Sequence, residues 1–145
     1  MEIYTIGFTK RTAADFFGTL RQHSIEQLID VRLNNSSQLA AFSKREDLPF
    51  FLREICGARY VHEPLLAPTS ELLDAYKKRK GSWQVYEHQF MQLMEERRIE
   101  DVVDKSVFDA RTVLLCSEAT ADKCHRRLVV EYLQRKWGNV HPVHL

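Results

Sequence analysis

Polar and apolar positions alternate from Glu2 to Ile6 and the run stops at Gly7, the period-two pattern of a short strand. Thr12 stands three residues before Asp15, and Phe16, Phe17 and Leu20 follow at helical spacing, so a capped helix is expected next. Residues 27–32 set Leu28, Ile29 and Val31 between polar ends as a second strand, with a polar loop of Asn34, Asn35, Ser36 and Ser37 behind it. Ser43 and Glu46 repeat the capping spacing ahead of Phe50, Phe51 and Ile55, and Gly57 is suited to end that helix. Residues 59–62 form a third strand. After Pro64 and Pro68, Ser70 is expected to cap a helix through Leu72, Leu73 and Tyr76 to Gly81. Residues 84–98 give another helix with Phe90, Leu93 and Met94 inside, and Val102 and Val103 a short helical tail. The apolar run 112–116 reads as a strand buried on both faces. Asp122 is the expected cap of a helix carrying Leu128, Val129, Tyr132 and Leu133 to Gly138, and residues 140–144 close the chain as a strand.

Parallel strands need long crossovers, which helices supply, so this alternation predicts an α/β fold of three layers. A mostly parallel sheet of about five strands carries helices on both faces, in a single domain over residues 1–145. Ligands of such sheets bind beyond the carboxyl ends of the strands, where Gly7, Thr9, Arg32, His62 and Cys116 would converge.

Composition narrows the function classes. With 44% hydrophobic residues in 145, the chain can bury a core without disulfides or a structural metal. Lys+Arg 21 against Asp+Glu 20 sets up no field to gather polyanions, so nucleic acid is a possible partner that nothing prompts. No apolar run reaches the roughly 20 residues of a membrane span, and Met1 leads straight into strand-like sequence. No membrane partner and a cytoplasmic location are expected. Cys56, Cys116 and Cys124 are odd in number and irregular in spacing, which fits reduced thiols better than a disulfide framework or a paired zinc motif.

Cys116 ends a strand and Cys124 falls in the first turn of the next helix, where unpaired N–H groups favour a thiolate; His125 and Arg126 follow at once. Either cysteine is a candidate nucleophile, the alternative being a small packing residue. Asp30 and Arg32 lie two apart on a strand and share a face, so an ion pair there presents Arg32 to an anion or simply organises a loop. Glu118 serves as a general base or accepts an N–H from the helix terminus. His62, His125, His141 and His144 are zinc ligands in type, but their spacing with the cysteines matches no zinc pattern, and neither metal nor cofactor is expected. Lys77 to Lys80 with Trp83 and Tyr86 mix basic and aromatic residues as single-strand nucleic-acid surfaces do, although a cationic last helical turn before Gly81 explains them more simply.

The segments Tyr4-Thr5-Ile6-Gly7, Leu28-Ile29-Asp30-Val31-Arg32, Tyr60-Val61-His62, Leu114-Leu115-Cys116-Ser117-Glu118 and Cys124-His125-Arg126-Arg127 together resemble the family called domain of unknown function 488. The resemblance implies a small cytosolic bacterial or archaeal protein with an active site of shared polar residues, and it supplies no reaction. Carried over by position, those residues are Gly7, Thr9, Asp30, Arg32, His62, Cys116, Glu118, Cys124, His125 and Arg126. Members typically carry Gly-His-Ser after the first strand, where this chain has Gly7-Phe8-Thr9, so a role for that histidine does not transfer. A weaker likeness is to rhodanese-type sulfurtransferases, with a strand ending Asp-Val-Arg and a later one ending in cysteine. Residues 117–122 argue against that chemistry, because they hold no glycine or basic residue and Glu118 and Asp122 would repel an anion.

Three function classes follow. The first is a small enzyme, a cysteine-dependent hydrolase or transferase on a small-molecule or nucleotide-like ligand, with Cys116, Glu118, Cys124, His125 and Arg126 as catalytic residues and Gly7, Thr9, Asp30, Arg32 and His62 as substrate-binding ones. The alternative is a nucleic-acid or nucleotide binding module with structural cysteines, in which Arg32, Arg126 and Arg127 receive phosphate. The last is a protein-interaction domain built on Phe42, Pro49 and Phe50.

Overall fold

The computed structural model describes residues 1–36 and 38–145, with the side chains of all but Gln38 and Leu39. Ser37 of the expected polar loop lies outside the described residues. The strands β1 (Glu2–Gly7), β2 (Gln27–Asp30), β3 (Arg59–His62), β4 (Thr112–Cys116) and β5 (His141–His144) form one sheet in the order β3-β2-β4-β1-β5. Every neighbouring pair is parallel. The central β4, Thr-Val-Leu-Leu-Cys, is buried throughout, while β3 and β5 at the edges alternate or expose their residues. Continuous apolar sequence goes to the middle because helices cover it on both sides.

Those helices are α1 (Ala13–Gln22), α2 (Leu48–Phe51, continued by a π turn over Leu52–Cys56), α3 (Ser70–Lys77), α4 (Trp83–Arg97), α5 (Ile99–Val102) and α6 (His125–Trp137). One face of the sheet, with Tyr4, Ile6, Leu28, Val113 and Leu115, packs on Phe16, Phe17 and Leu20 of α1 and on Leu48 and Leu52. The other face, with Ile3, Ile29 and Leu114, packs on Phe90 and Met94 of α4 and on Leu128, Val129 and Leu133 of α6. Successive side chains of a strand point to opposite faces, so Cys116 shares the α4/α6 side with Leu114, whereas Asp30, level with Leu115, is directed to the α1/α2 side.

The caps expected at Thr12 and Gly57 are present: Thr12 Oγ1 accepts from Asp15 N at 3.0 Å, and Gly57 holds φ +64. Three others move. Ser43 does not open a helix; its hydroxyl donates to Ala40 O and accepts from Arg32 Nη1, and α2 starts behind Asp47 with no side-chain cap. Thr69, not Ser70, caps α3, its hydroxyl accepting from Leu72 N at 3.1 Å. Asp122 is not the cap of α6 either. Cys124 occupies that position without a side-chain cap bond, so it stands just before the first turn rather than in it. The second strand stops at Asp30 instead of running to Arg32, because Asp30 Oδ1 takes the Arg32 amide at 3.1 Å and withdraws it from the ladder. Smaller shifts put the start of α4 at Trp83 under Ser82 and the start of β5 at His141. Among the described residues no helix is long and apolar enough to cross a membrane.

Candidate functional site

Gly7 and Cys116 pair at the carboxyl ends of β1 and β4. The chain leaving Cys116 folds back over Gly7 so closely that a Cβ there would lie 1.6 Å from Glu118 O and 2.7 Å from Arg126 Nη1. Only glycine fits. Thr9 fastens the same loop, its amide and its hydroxyl both donating to Ser117 O, at 3.1 and 2.5 Å. Arg126, fully buried, completes the clamp by donating from Nη1 to Glu118 O at 2.6 Å and from Nε to Thr5 Oγ1 at 3.3 Å.

The clamp brings the thiols and the imidazole together. Cys116 Sγ lies 3.5 Å from His125 Nδ1, and His125 Nε2 is 2.6 Å from Val31 O. A carbonyl only accepts, so Nε2 carries the proton and Nδ1 is the unprotonated nitrogen; the sulfur, also 3.7 Å from Nε2, lies beside the ring rather than on the Nδ1 lone pair. Arg126 Nη1 reaches Cys124 Sγ at 3.6 Å. The Cys116 and Cys124 sulfurs and a His125 ring nitrogen lie within 4.8 Å of one another. Burial opposes ionisation of Cys116, but the Cys124 S–H, the Ser117 amide and the Arg126 charge outweigh it and hold this thiol below the usual cysteine range. Burial pushes Cys124 up, and its hydrogen bond to the Cys116 sulfur pushes further. Burial keeps His125 below its usual value and therefore neutral.

These three residues line an open cavity of about 240 Å³. Tyr76, Trp83 and Tyr86 supply an aromatic side; Trp83 stacks on Tyr86 with centroids 5.2 Å apart, and Phe90 continues the series to the His125 ring at 5.5 Å. Lys77, Glu118 and Lys123 add charge to the lining. The Glu118 carboxylate pairs with Lys77 Nζ at 2.6 Å, a partner named by neither of its two expected roles, general base or acceptor at the helix terminus.

Asp30, directed to the other side of the sheet from Cys116, makes the anticipated ion pair with Arg32, and both are nearly inaccessible. Arg32 donates from Nε and Nη2 to the two carboxylate oxygens, each at 2.8 Å, and to Ser43 Oγ and Ser43 O at 3.1 and 2.7 Å. Asp30 also accepts from Tyr60 OH at 2.6 Å and Asn35 Nδ2 at 3.3 Å, and its carboxyl is lowered: burial works against this, but Arg32 and Tyr60 prevail. Arg32 borders the cavity, yet its guanidinium is engaged in this network and lies over the Phe8 ring at 5.4 Å. His62 Nε2 meets Arg32 O at 3.0 Å. Gly7, Thr9, Asp30 and His62 do not line the cavity.

The structure therefore gathers Cys116, Cys124, His125 and Arg126 closely, sets Glu118 at the charged rim, and separates Asp30 and His62 from them. The aromatic side joins the site from residues that the sequence assigns more simply to a helix end. Its signal, Lys77 with Trp83 and Tyr86, is visible in the sequence but reads as a solvated helix end until α3 and α4 are packed over the strand ends. The metal reading also changes, because three donors assemble from spacing that matches no zinc motif. His144 is outside this group, its Nδ1 2.6 Å from Thr5 Oγ1, and His141 is exposed.

Residues 12–133 match the family model described as domain of unknown function DUF488. No curated protein and no solved structure matches the chain, and the likeness to rhodanese-type domains has no support in these comparisons.

Proposed function

The chain belongs to the family described as domain of unknown function DUF488, and from that premise we propose that it is a small cysteine-dependent enzyme, a hydrolase or transferase, acting on a small nucleotide-like substrate. The reaction centre is Cys116, Cys124 and His125. One observation carries the reading: a neutral imidazole lies against a buried thiol, 3.5 Å from Sγ to Nδ1 and 3.7 Å to Nε2, in the lining of an open cavity. Thiol–imidazole contacts of this kind are how proteins prepare sulfur for chemistry. Tyr76, Trp83 and Tyr86 suit a planar ring, since every nucleobase has a face to stack. Lys77 and Lys123 suit the anionic part of the same ligand. Arg126 positions the loop and Cys124, and Gly7 and Thr9 act through that loop rather than on substrate. Glu118 tunes Lys77.

The binding-module alternative keeps support from the same aromatic and basic lining, although Arg32, Arg126 and Arg127 each engage partners within the chain. Fluorescence titration with a panel of nucleobases, nucleosides and nucleotides, followed by product analysis for each binder, separates the two. Turnover that the wild type performs and Cys116→Ser loses, with ligand affinity kept, is the expected result. Binding without turnover in both proteins would replace the enzyme by the binding module.

A further inference from the structure

Three features of the Cys116, Cys124 and His125 cluster go beyond a thiol paired with a base. First, the outer nitrogen of His125 is fixed by the Val31 carbonyl at 2.6 Å, the contact that sets the tautomer of a metal-ligating imidazole and leaves Nδ1 to bind. Second, Cys116 Sγ and His125 Nδ1 stand 3.5 Å apart, the separation of two zinc ligands, with the sulfur also 3.7 Å from Nε2 and so beside the ring. Bonds of about 2.3 Å to sulfur and 2.0–2.1 Å to nitrogen, at a tetrahedral angle, place the two atoms about 3.5 Å apart. Cys124 Sγ completes a group whose donor atoms lie within 4.8 Å of one another, and a turn of the imidazole brings Nδ1 onto an ion held between them. Third, Arg126 is fully buried, and among the described residues no carboxylate pairs with it; the nearby Glu118 carboxylate goes to Lys77. A buried guanidinium without an opposite charge is costly, and the sulfurs beside it are the anions within reach.

We infer that Cys116, Cys124 and His125 form a site for one zinc-class divalent cation, with its fourth position open to the cavity. The inference rests on the reading of that cavity as a reaction centre and says what the centre contains. Two cysteines, one histidine and an open position are the donor set of a catalytic rather than a structural zinc. Loading releases the two thiol protons to solvent. The two thiolates then balance the ion, and the Arg126 charge remains. The open position therefore favours an anionic group, a phosphate or carboxylate of the ligand whose ring lies along Trp83 and Tyr86. With the ion bound, Cys116 is a ligand, and the dependence of turnover on the cysteines is dependence on the metal they hold.

The test loads chelator-stripped wild-type protein with Zn²⁺, counted per chain after dialysis, and with Co²⁺, whose absorption reports thiolate ligation and tetrahedral geometry. One ion per chain and a sulfur-to-cobalt charge-transfer band are expected. Cys124→Ser and His125→Gln should each weaken binding at least tenfold, and Cys56→Ser should leave it unchanged. The Co²⁺ spectrum of the wild type needs no variant to fold. Absence of stoichiometric metal in the wild type, or metal that survives both ligand substitutions, overturns the inference. If metal is absent while Cys116-dependent turnover persists, the inference alone fails. If the tetrahedral thiolate spectrum appears and no nucleotide-like ligand is bound or turned over, the site stands and the enzyme reading falls.

Discussion

Asp30→Asn isolates the charge at the centre of the second polar network. Asp30 is fully buried and accepts from the Arg32 amide and guanidinium, from Tyr60 and from Asn35. The amide removes the negative charge and leaves Arg32, 2% exposed, with only Ser43 and the Phe8 ring around its guanidinium. Breaking a buried pair from one side costs about 3–5 kcal/mol. The contacts to Ser43 survive, so the lower end, about 3 kcal/mol, is expected. With a urea slope of about 2 kcal/mol/M, the midpoint falls by roughly 1.5 M. Asp30→Asn with Arg32→Met should recover at least about 1 kcal/mol of this, because no unpaired charge then stays buried. The carboxyl is lowered on folding from its ordinary 3.8, so its stabilisation is complete above that pH and fades as pH falls through the folded value. Urea melts of wild type and variant should therefore converge on acidification below 3.8. A loss under about 1 kcal/mol at pH 7, or a gap that stays constant down to pH 2, would refute the reasoning.

Gly7→Ala should cost about 1–3 kcal/mol and displace the loop after β4, because the new methyl meets the Glu118 carbonyl at 1.6 Å; a wild-type melting curve with unchanged near-ultraviolet dichroism would contradict the clamp. Thr12→Ala removes the bond to Asp15 N and should lower stability by about 1 kcal/mol in the same denaturation assay, with no change confirming that α1 needs no cap. Trp83→Ala takes away the cavity's stacking ring and should weaken a planar ligand by about tenfold, from the 1–3 kcal/mol that base stacking supplies; equal affinity by calorimetry would place the ligand elsewhere.

Local pattern was enough for the layers of this protein. The helical spacing of Phe16, Phe17 and Leu20 and the unbroken Val113-Leu114-Leu115 run each report how much of a segment is covered, whereas the alternation from Glu2 to Ile6 predicts a half-covered strand and β1 is buried from Ile3 to Gly7. Membership of the family was legible too, since the Cys116 to Glu118 and Cys124 to Arg127 segments lie within the matched residues. Caps at Ser43, Ser70 and Asp122 were misplaced because capping depends on which hydroxyl or carboxylate faces the free amides, and neighbouring candidates look alike in one dimension. Which residues meet was decided by the tertiary structure. Asp30 and Cys116 both stand at carboxyl ends of adjacent strands, yet the two-residue period turns them to opposite faces, and one became the anchor of a buried ion pair while the other met His125. Cys116 stands eight and nine residues before Cys124 and His125, and the aromatic side comes from α3 and α4, some thirty to forty residues before Cys116. Spacing along the chain holds no record of such contacts, because they are set by strand order and by the packing of helices across the sheet.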